Sequence, residues 1–288
     1  MIVDVRQQVR RLASALRARS ICALLEVRSM LSRRPLTGDP ESPTVSMTTY
    51  GARASRVHLA VESIGRGRRR PGRLILWVDD PDLYSHPPRG VSRAMQRGVE
   101  LMLTENRGPH TKYYPTVQAG VGQGVSLVTA DDDILYPRRW LGALCRASQE
   151  SPGAVIAFRA HWITTTEGAL DAYASWPSCP IETPSRRVFA TGVSGVLYPP
   201  DMLDAIAQRG DEFMAVSRRN DDIWLHWVAL RAGVAVRQVG PRSEHFPIVP
   251  RSQQSGLLLK NLGQSFNDQI IAELYAPEDV ALIDEHPA

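Results

Sequence analysis

Three aspartates in succession, Asp131 to Asp133, stand in "VTADDDILYPRRW" between a short apolar run and a proline that opens a helix-like segment. Close carboxylates repel, and the repulsion is relieved by protonation or by a cation. Asp131 and Asp133 flank one residue of an extended turn, so both side chains reach one point. Hard carboxylate oxygens suit Mg2+ or Mn2+, which take few protein ligands and complete their shell with phosphate oxygens. A helix start also attracts acids through its dipole, but one aspartate satisfies that need.

A second acidic pair stands in "RRNDDIWLHWVALRAG". Asn220 reads as an N-cap, with Asp221 and Asp222 in the first turn. The pair either answers the helix start or supplies a general base that takes a proton from a hydroxyl. In "TGVSGVLYPP", Gly192 and Gly195 allow close backbone approach to a ligand; a plain turn fits equally. His245, in "SEHF", follows the last strand-like run and is either a structural histidine or a ligand.

These groups need a frame, and the pattern along the chain supplies one. "VSMTTY", "RLILWVDD", "GVELMLTEN", "GVSLVTADDD" and "GAVIAFRAHWI" read as strands, with helical periodicity between them. Short strands apolar on both faces, alternating with helices, predict an α/β fold with a mostly parallel sheet. In such sheets ligands bind at the carboxyl ends of strands. Thr48, Thr49 and Tyr50, then Asp79 and Asp80, then the triple aspartate follow three successive strand-like runs. That repetition points to one rim and one site.

The division expected is a basic helical extension and linker over 1–40, a catalytic domain over 41–250 and a helical tail over 251–288. Residues 1–34 hold eight Arg against Asp4 and Glu26, a balance of +6 that leaves −2 for the rest of a +4 chain. The body is therefore no nucleic-acid binder on charge. Val5, Val9, Leu12 and Leu16 recur at helical spacing. This extension packs on the body, joins a homodimer, or rests as a basic amphipathic helix on an anionic membrane surface. Cys22, Cys145 and Cys179 are scattered, which suggests neither a disulfide framework nor a zinc site. No apolar run reaches the roughly 20 residues of a membrane span, and no signal peptide is read at the N-terminus. The expected setting is the cytoplasm, with the inner membrane face as an alternative.

The ordered set "VSMTTYGARASRVHLAVESI", "LILWVDD", "SLVTADDDILYP", "ATGVSGVLYPP" and "NDDIWLHWVALRAG" resembles nucleotide-sugar glycosyltransferases of the GT-A fold. It is most similar to the family 2-like group and to bacterial polysaccharide and cell-wall transferases. The resemblance covers about residues 44–248. It implies a UDP- or GDP-sugar donor, a glycan or lipid-linked hydroxyl acceptor, and Mn2+ or Mg2+. Asp131 and Asp133 match the Asp-x-Asp motif, with Asp133 as direct metal ligand and Asp131 facing ribose or metal. His245 matches a late metal ligand. Asp79 matches the acid that contacts the base, Thr48 and Tyr50 line the nucleotide pocket, and Asp132 and Lys112 join the donor site. Asp222 matches the general base of an inverting reaction, with Asp221 in place of the family's usual glutamate. Gly192, Gly195 and Trp176 fall on the acceptor side. A sugar nucleotidyltransferase is the rival enzyme, although "TTYGARASR" is a weak phosphate loop. A non-catalytic nucleotide-binding subunit is the rival outside catalysis.

Overall fold

The computed structural model describes residues 2–120, 124–250, 252 and 264–285, with side chains from residue 14 and, in the tail, from 266. Eleven strands are described, β1 (Thr44–Thr48), β2 (Leu74–Val78), β3 (Val99–Leu103), β4 (Leu127–Ala130), β5 (Val155–Ala157), β6 (Ala160–Trp162), β7 (Thr165–Thr166), β8 (Ala169–Leu170), β9 (Val188–Ala190), β10 (Val196–Tyr198) and β11 (Val236–Gln238). The helices are α1 (Ile2–Leu31), α2 (Val57–Gly65), α3 (Pro81–Ser85), α4 (Arg89–Met95), α5 (Tyr114–Gln118), α6 (Trp140–Glu150), α7 (Pro200–Arg209), α8 (Phe213–Val216), α9 (Asp221–Arg231), α10 (Gln264–Leu274) and α11 (Pro277–Asp284).

Seven strands form one sheet in the order β11-β5-β10-β4-β1-β2-β3. β3, β2, β1 and β4 run parallel, whereas β10 is antiparallel to both β4 and β5. β2, "LILWV", is buried along its whole length, as a strand with helices on both faces must be. The run "GAVIAFRAHWI" breaks at Phe158 and Arg159. Its first part joins the main sheet as β5, and its second, β6, pairs with β9 in a two-stranded sheet.

Two apolar clusters fill the interior. One lies between the sheet and α2, α4 and α6, around Val45, Leu76, Ile134 and Trp140. The other surrounds α9 and takes in Phe189, Phe213, Trp224 and Ile271. Every α9 residue from Ile223 to Leu230 is buried, because α10 and α11 close over the side that the sheet leaves open. A helix so enclosed sheds the polar outer face of a surface helix. The described side chains of α1 pack through Ala18, Cys22 and Leu25 on Leu59, Leu135 and Val249. Val5, Val9 and Leu12 lie outside the described side chains.

Candidate functional site

The carboxyl ends of β1, β2 and β4 open onto a cleft of about 430 Å³. Its lining includes Thr48, Tyr50, Arg53, Asp79, Lys112, Asp131 and Asp132. The parallel register sets these groups side by side: Thr48 pairs with Trp77, two residues before Asp79, and Met47 with Ala130, one residue before Asp131. Six expected nucleotide-side residues, Thr48, Tyr50, Asp79, Lys112, Asp131 and Asp132, thus share one cleft. Asn106 donates to the Asp79 carboxylate and fixes it at the far wall.

The triple aspartate divides between two cations. Asp132 accepts from Thr49 Oγ1 at 2.7 Å and from Arg53 Nη1 at 2.8 Å. Asp133 lies 3.1 Å from Arg53 Nη2 and accepts from Ser252 Oγ at 3.2 Å, both on Oδ2. Asp131 turns instead toward Lys112, whose Nζ stands 3.9 Å from its Oδ1 and 2.8 Å from Asp221 Oδ2. Burial raises the Asp131 carboxyl to about 6, with Lys112 offsetting part of the rise and Asp133 and Asp132 adding to it. Burial also raises Asp132, despite Arg53 and Thr49. Burial works against the Lys112 charge, but Asp221, Asp131 and Asp222 outweigh it and hold the ammonium protonated well above its ordinary range.

Lys112 is placed by a histidine anchor. His110 is fully buried and stacks on Phe213 with ring centroids 4.0 Å apart. Burial lowers it to about 4, so the ring is neutral. Nε2–H then donates to the Ser217 carbonyl and Nδ1 accepts from the Tyr113 hydroxyl. This ties the turn carrying Lys112 to the segment leading into α9. Asn220 caps α9 through its side chain, accepting from Ile223 N at 3.0 Å.

Asp221 and Asp222 separate in role. Asp221 is buried against Lys112. Asp222 has no ion-pair partner among the described residues; its Oδ1 accepts from Gly192 N at 2.8 Å. Burial and the Asp221 charge raise Asp222 to about 7, against Lys112 and the Gly192 N–H. A Cβ on Gly192 would lie 2.6 Å from Lys112 Nζ and 3.0 Å from Asp222 Oδ1, so an added methyl group would displace the Lys112 ammonium.

Other expected positions sit differently. Gly195, at φ +99°, meets Trp140: a Cβ would fall 2.7 Å from its indole ring. Its close approach serves that packing rather than an acceptor. Trp176 is buried against Tyr173 and Phe189 and donates its indole N–H to Asp171 O; its ring belongs to the core. Asp133, expected to be the direct metal ligand, is absent from the cleft lining, because Arg53 draws its Oδ2 inward. His245 is exposed on the segment whose next residues bind the triple-aspartate turn through Leu135 N to Pro247 O and Val249 N to Asp133 O.

The sequence reading missed Arg53, Asn106, Ser252 and Tyr173. Tyr173 lies near enough to Asp222 that this charge, after burial, helps raise its phenol to about 12. Arg53 follows Tyr50 by three residues in "TTYGARAS", a spacing with no motif of its own.

The donor set fits a hard divalent ion. Of five carboxylates here, four ion-pair with Arg53 or Lys112 and Asp222 has no such partner among the described residues, which leaves surplus negative charge when all are ionised. No group of three or more His, Cys, Asp or Glu side chains converges on one metal point among the described residues. An ion here would have few protein ligands, as Mg2+ and Mn2+ prefer.

No family model and no curated protein matches this chain. Solved structures do. A mannosyltransferase from Pyrobaculum calidifontis, in complex with GDP-Man and Mn2+, superposes with a TM-score of 0.51 at 15% identity, over 95% of this chain and 79% of that one. TarS 1–349 of S. aureus gives 0.45 at 11% identity, over 71% of this chain and 59% of that one. A CMP:2-keto-3-deoxy-manno-octonic acid synthetase complexed with CTP gives 0.43 at 13% identity, over 69% and 88%. The chain has a GT-A-like fold: a mostly parallel sheet flanked by helices, with a helix at the N-terminal end.

Proposed function

We propose that this chain is a metal-dependent glycosyltransferase that moves a sugar from a nucleoside diphosphate to a hydroxyl acceptor with inversion. The observation that supports it is a single group of side chains. Asp79 and Tyr50 line the cleft together with Asp131 and Lys112, and Asp222, outside that lining, lies near enough to Lys112 to support its charge. That grouping suits base, diphosphate and acceptor hydroxyl.

Asp79 would take a donor from the base, and Thr48 and Tyr50 would flank the nucleoside. Asp131 and the Asp133 oxygen left by Arg53 would hold Mn2+ or Mg2+, with exposed His245 on the segment whose Pro247 and Val249 bond the same turn. When bound, the ion stabilises the negative charge that grows on the departing diphosphate. Lys112 adds a fixed positive charge beside it. Asp222, partly exposed and raised to about 7, is poised to take the acceptor proton. Asp221 is spent on Lys112, which makes Asp222 the base of the pair. One carboxylate acting from the face opposite the leaving group inverts the anomeric carbon, as single-displacement glycoside chemistry does. The acceptor would be a glycan or lipid-linked hydroxyl, and the fold alone does not choose it.

The test is nucleoside diphosphate release from a panel of UDP- and GDP-sugars with Mn2+, for the wild-type chain and Asp222→Asn. Release that the variant abolishes supports the reading. Pyrophosphate release from a nucleoside triphosphate and a sugar phosphate would assign the cleft to nucleotidyl transfer instead.

A further inference from the structure

The five most exposed large apolar side chains among the described residues all belong to α1. Leu16, Leu24, Val27, Met30 and Leu31 are 52% to 77% exposed. At 3.6 residues per turn they share one face. The opposite face, Ala18, Cys22, Leu25 and Ser29, is the buried one. The helix is therefore apolar on two sides, one covered by the body and one uncovered. The sequence leads into the outer stripe with apolar residues at 5, 9, 12 and 16. Single exposed apolar residues are ordinary, but a continuous stripe marks an interaction surface.

The surroundings of the stripe are basic. Arg17, Arg19, Arg33 and Arg34 are exposed on α1 or just past its end. Glu26 is turned inward to His58 and Arg93. The basic turn 66–70 adjoins the end of α1, where Arg70 donates to the Pro35 carbonyl at 2.9 Å. Arg66 lies close enough to Arg138 and Arg28 to feel both charges. A second copy set stripe to stripe would bring two such basic flanks together, and like charges across an interface oppose association. An anionic lipid surface complements both the stripe and its flanks. No described helix is long and apolar enough to cross a membrane.

We propose that α1 lies flat on an anionic phospholipid bilayer, with the stripe from Leu16 to Leu31 among the acyl chains and its arginines at the headgroups. Thirty residues of helix give a contact line of about 45 Å. Cys22 and Leu25 pack in one cluster with Val249, whose N–H bonds the Asp133 carbonyl at 2.7 Å. The docked helix is thus one packed residue away from the triple-aspartate turn.

Co-sedimentation of the full chain with vesicles tests this. Vesicles of phosphatidylcholine with phosphatidylglycerol should retain the protein, and phosphatidylcholine alone should not. Added salt should weaken retention. The double variant Leu24→Glu with Val27→Glu should lose retention and keep its thermal melting curve, since both side chains already stand in water. Arg33→Glu with Arg34→Glu should lower the partition by about 5-fold or more per arginine. Failure of the wild-type chain to bind anionic vesicles overturns the proposal, as does retention that the Leu24 and Val27 changes leave intact. A dimer seen by sedimentation velocity and dissolved by those two changes, with no vesicle binding, would assign the stripe to self-association.

Discussion

Around Arg53, two carboxylates meet a planar fork that donates to Asp132 and ion-pairs with Asp133; around Lys112, three carboxylates gather at one ammonium. Asp132 and Asp133 are also bonded by Thr49 and Ser252. Asp222 has a single backbone N–H. A guanidinium is rigid, permanently charged and shaped for paired oxygens, whereas an ammonium is a compact point charge. Where donors match acceptors, geometry is set before any ligand arrives. Where they fall short, the remaining charge is answered by a proton or a metal ion, and the carboxylates stay reactive. The rim thus has a fixed end and a responsive end, joined at the peptide between Asp131 and Asp132.

Substitutions should separate the two ends. Asp222→Asn removes the proposed base and should lower turnover about 10²- to 10⁴-fold, with no loss of melting temperature; initial rates of nucleoside diphosphate release check it. Arg53→Ala should do the reverse kind of damage. It strands Asp132 and Asp133 in a buried setting and should cost about 3–5 kcal/mol of stability, read by urea unfolding. Equal stability losses in both variants would erase the distinction between the ends.

Smaller effects sharpen it. Gly192→Ala presses a methyl group on Lys112 and Asp222 and should cost about 1–3 kcal/mol as overpacking. The loss should appear in rate and stability together. The rate should rise with pH through about 7, as Asp222 loses its proton, and level off above. Asp222→Asn should remove that limb from the residual rate. The same raised pKa has a stability sign. The folded chain holds this proton more tightly than the unfolded chain, so the contribution of Asp222 is present at low pH and is lost as pH rises through about 7. Melting temperatures of wild type and Asp222→Asn should converge at low pH and diverge above, with the wild type lower.

Much of this frame was legible in the sequence, because parallel strands announce themselves as apolar runs and their polar carboxyl ends fall at fixed offsets. "LILWVDD" and "LVTADDD" placed Asp79 and Asp131 on one rim without any tertiary information. The partners of those acids were not legible. Arg53 reaches Asp132 and Asp133 across 79 and 80 positions, and Ser252 reaches Asp133 across 119. Such pairs are set by packing. Trp176 and Gly195 misled for a related reason: an aromatic ring or a bare backbone suits a ligand or a neighbouring core residue equally, and here the core took both. The tail, expected as helical over 251–288, carries two described helices, with α11 following α10 after Tyr275 and Ala276. Ile270, Ile271, Tyr275 and Ile283 share one apolar cluster with α9, a helix that shows no amphipathic pattern.

Isothermal titration with UDP and GDP, each with Mn2+ and with EDTA, tests the responsive end most directly when run on wild type and Asp131→Asn. Metal-dependent binding of one nucleotide to the wild type, lost in the variant, is the result expected. Binding that survives EDTA and Asp131→Asn alike, or no binding of either nucleotide, would contradict a donor site at this rim.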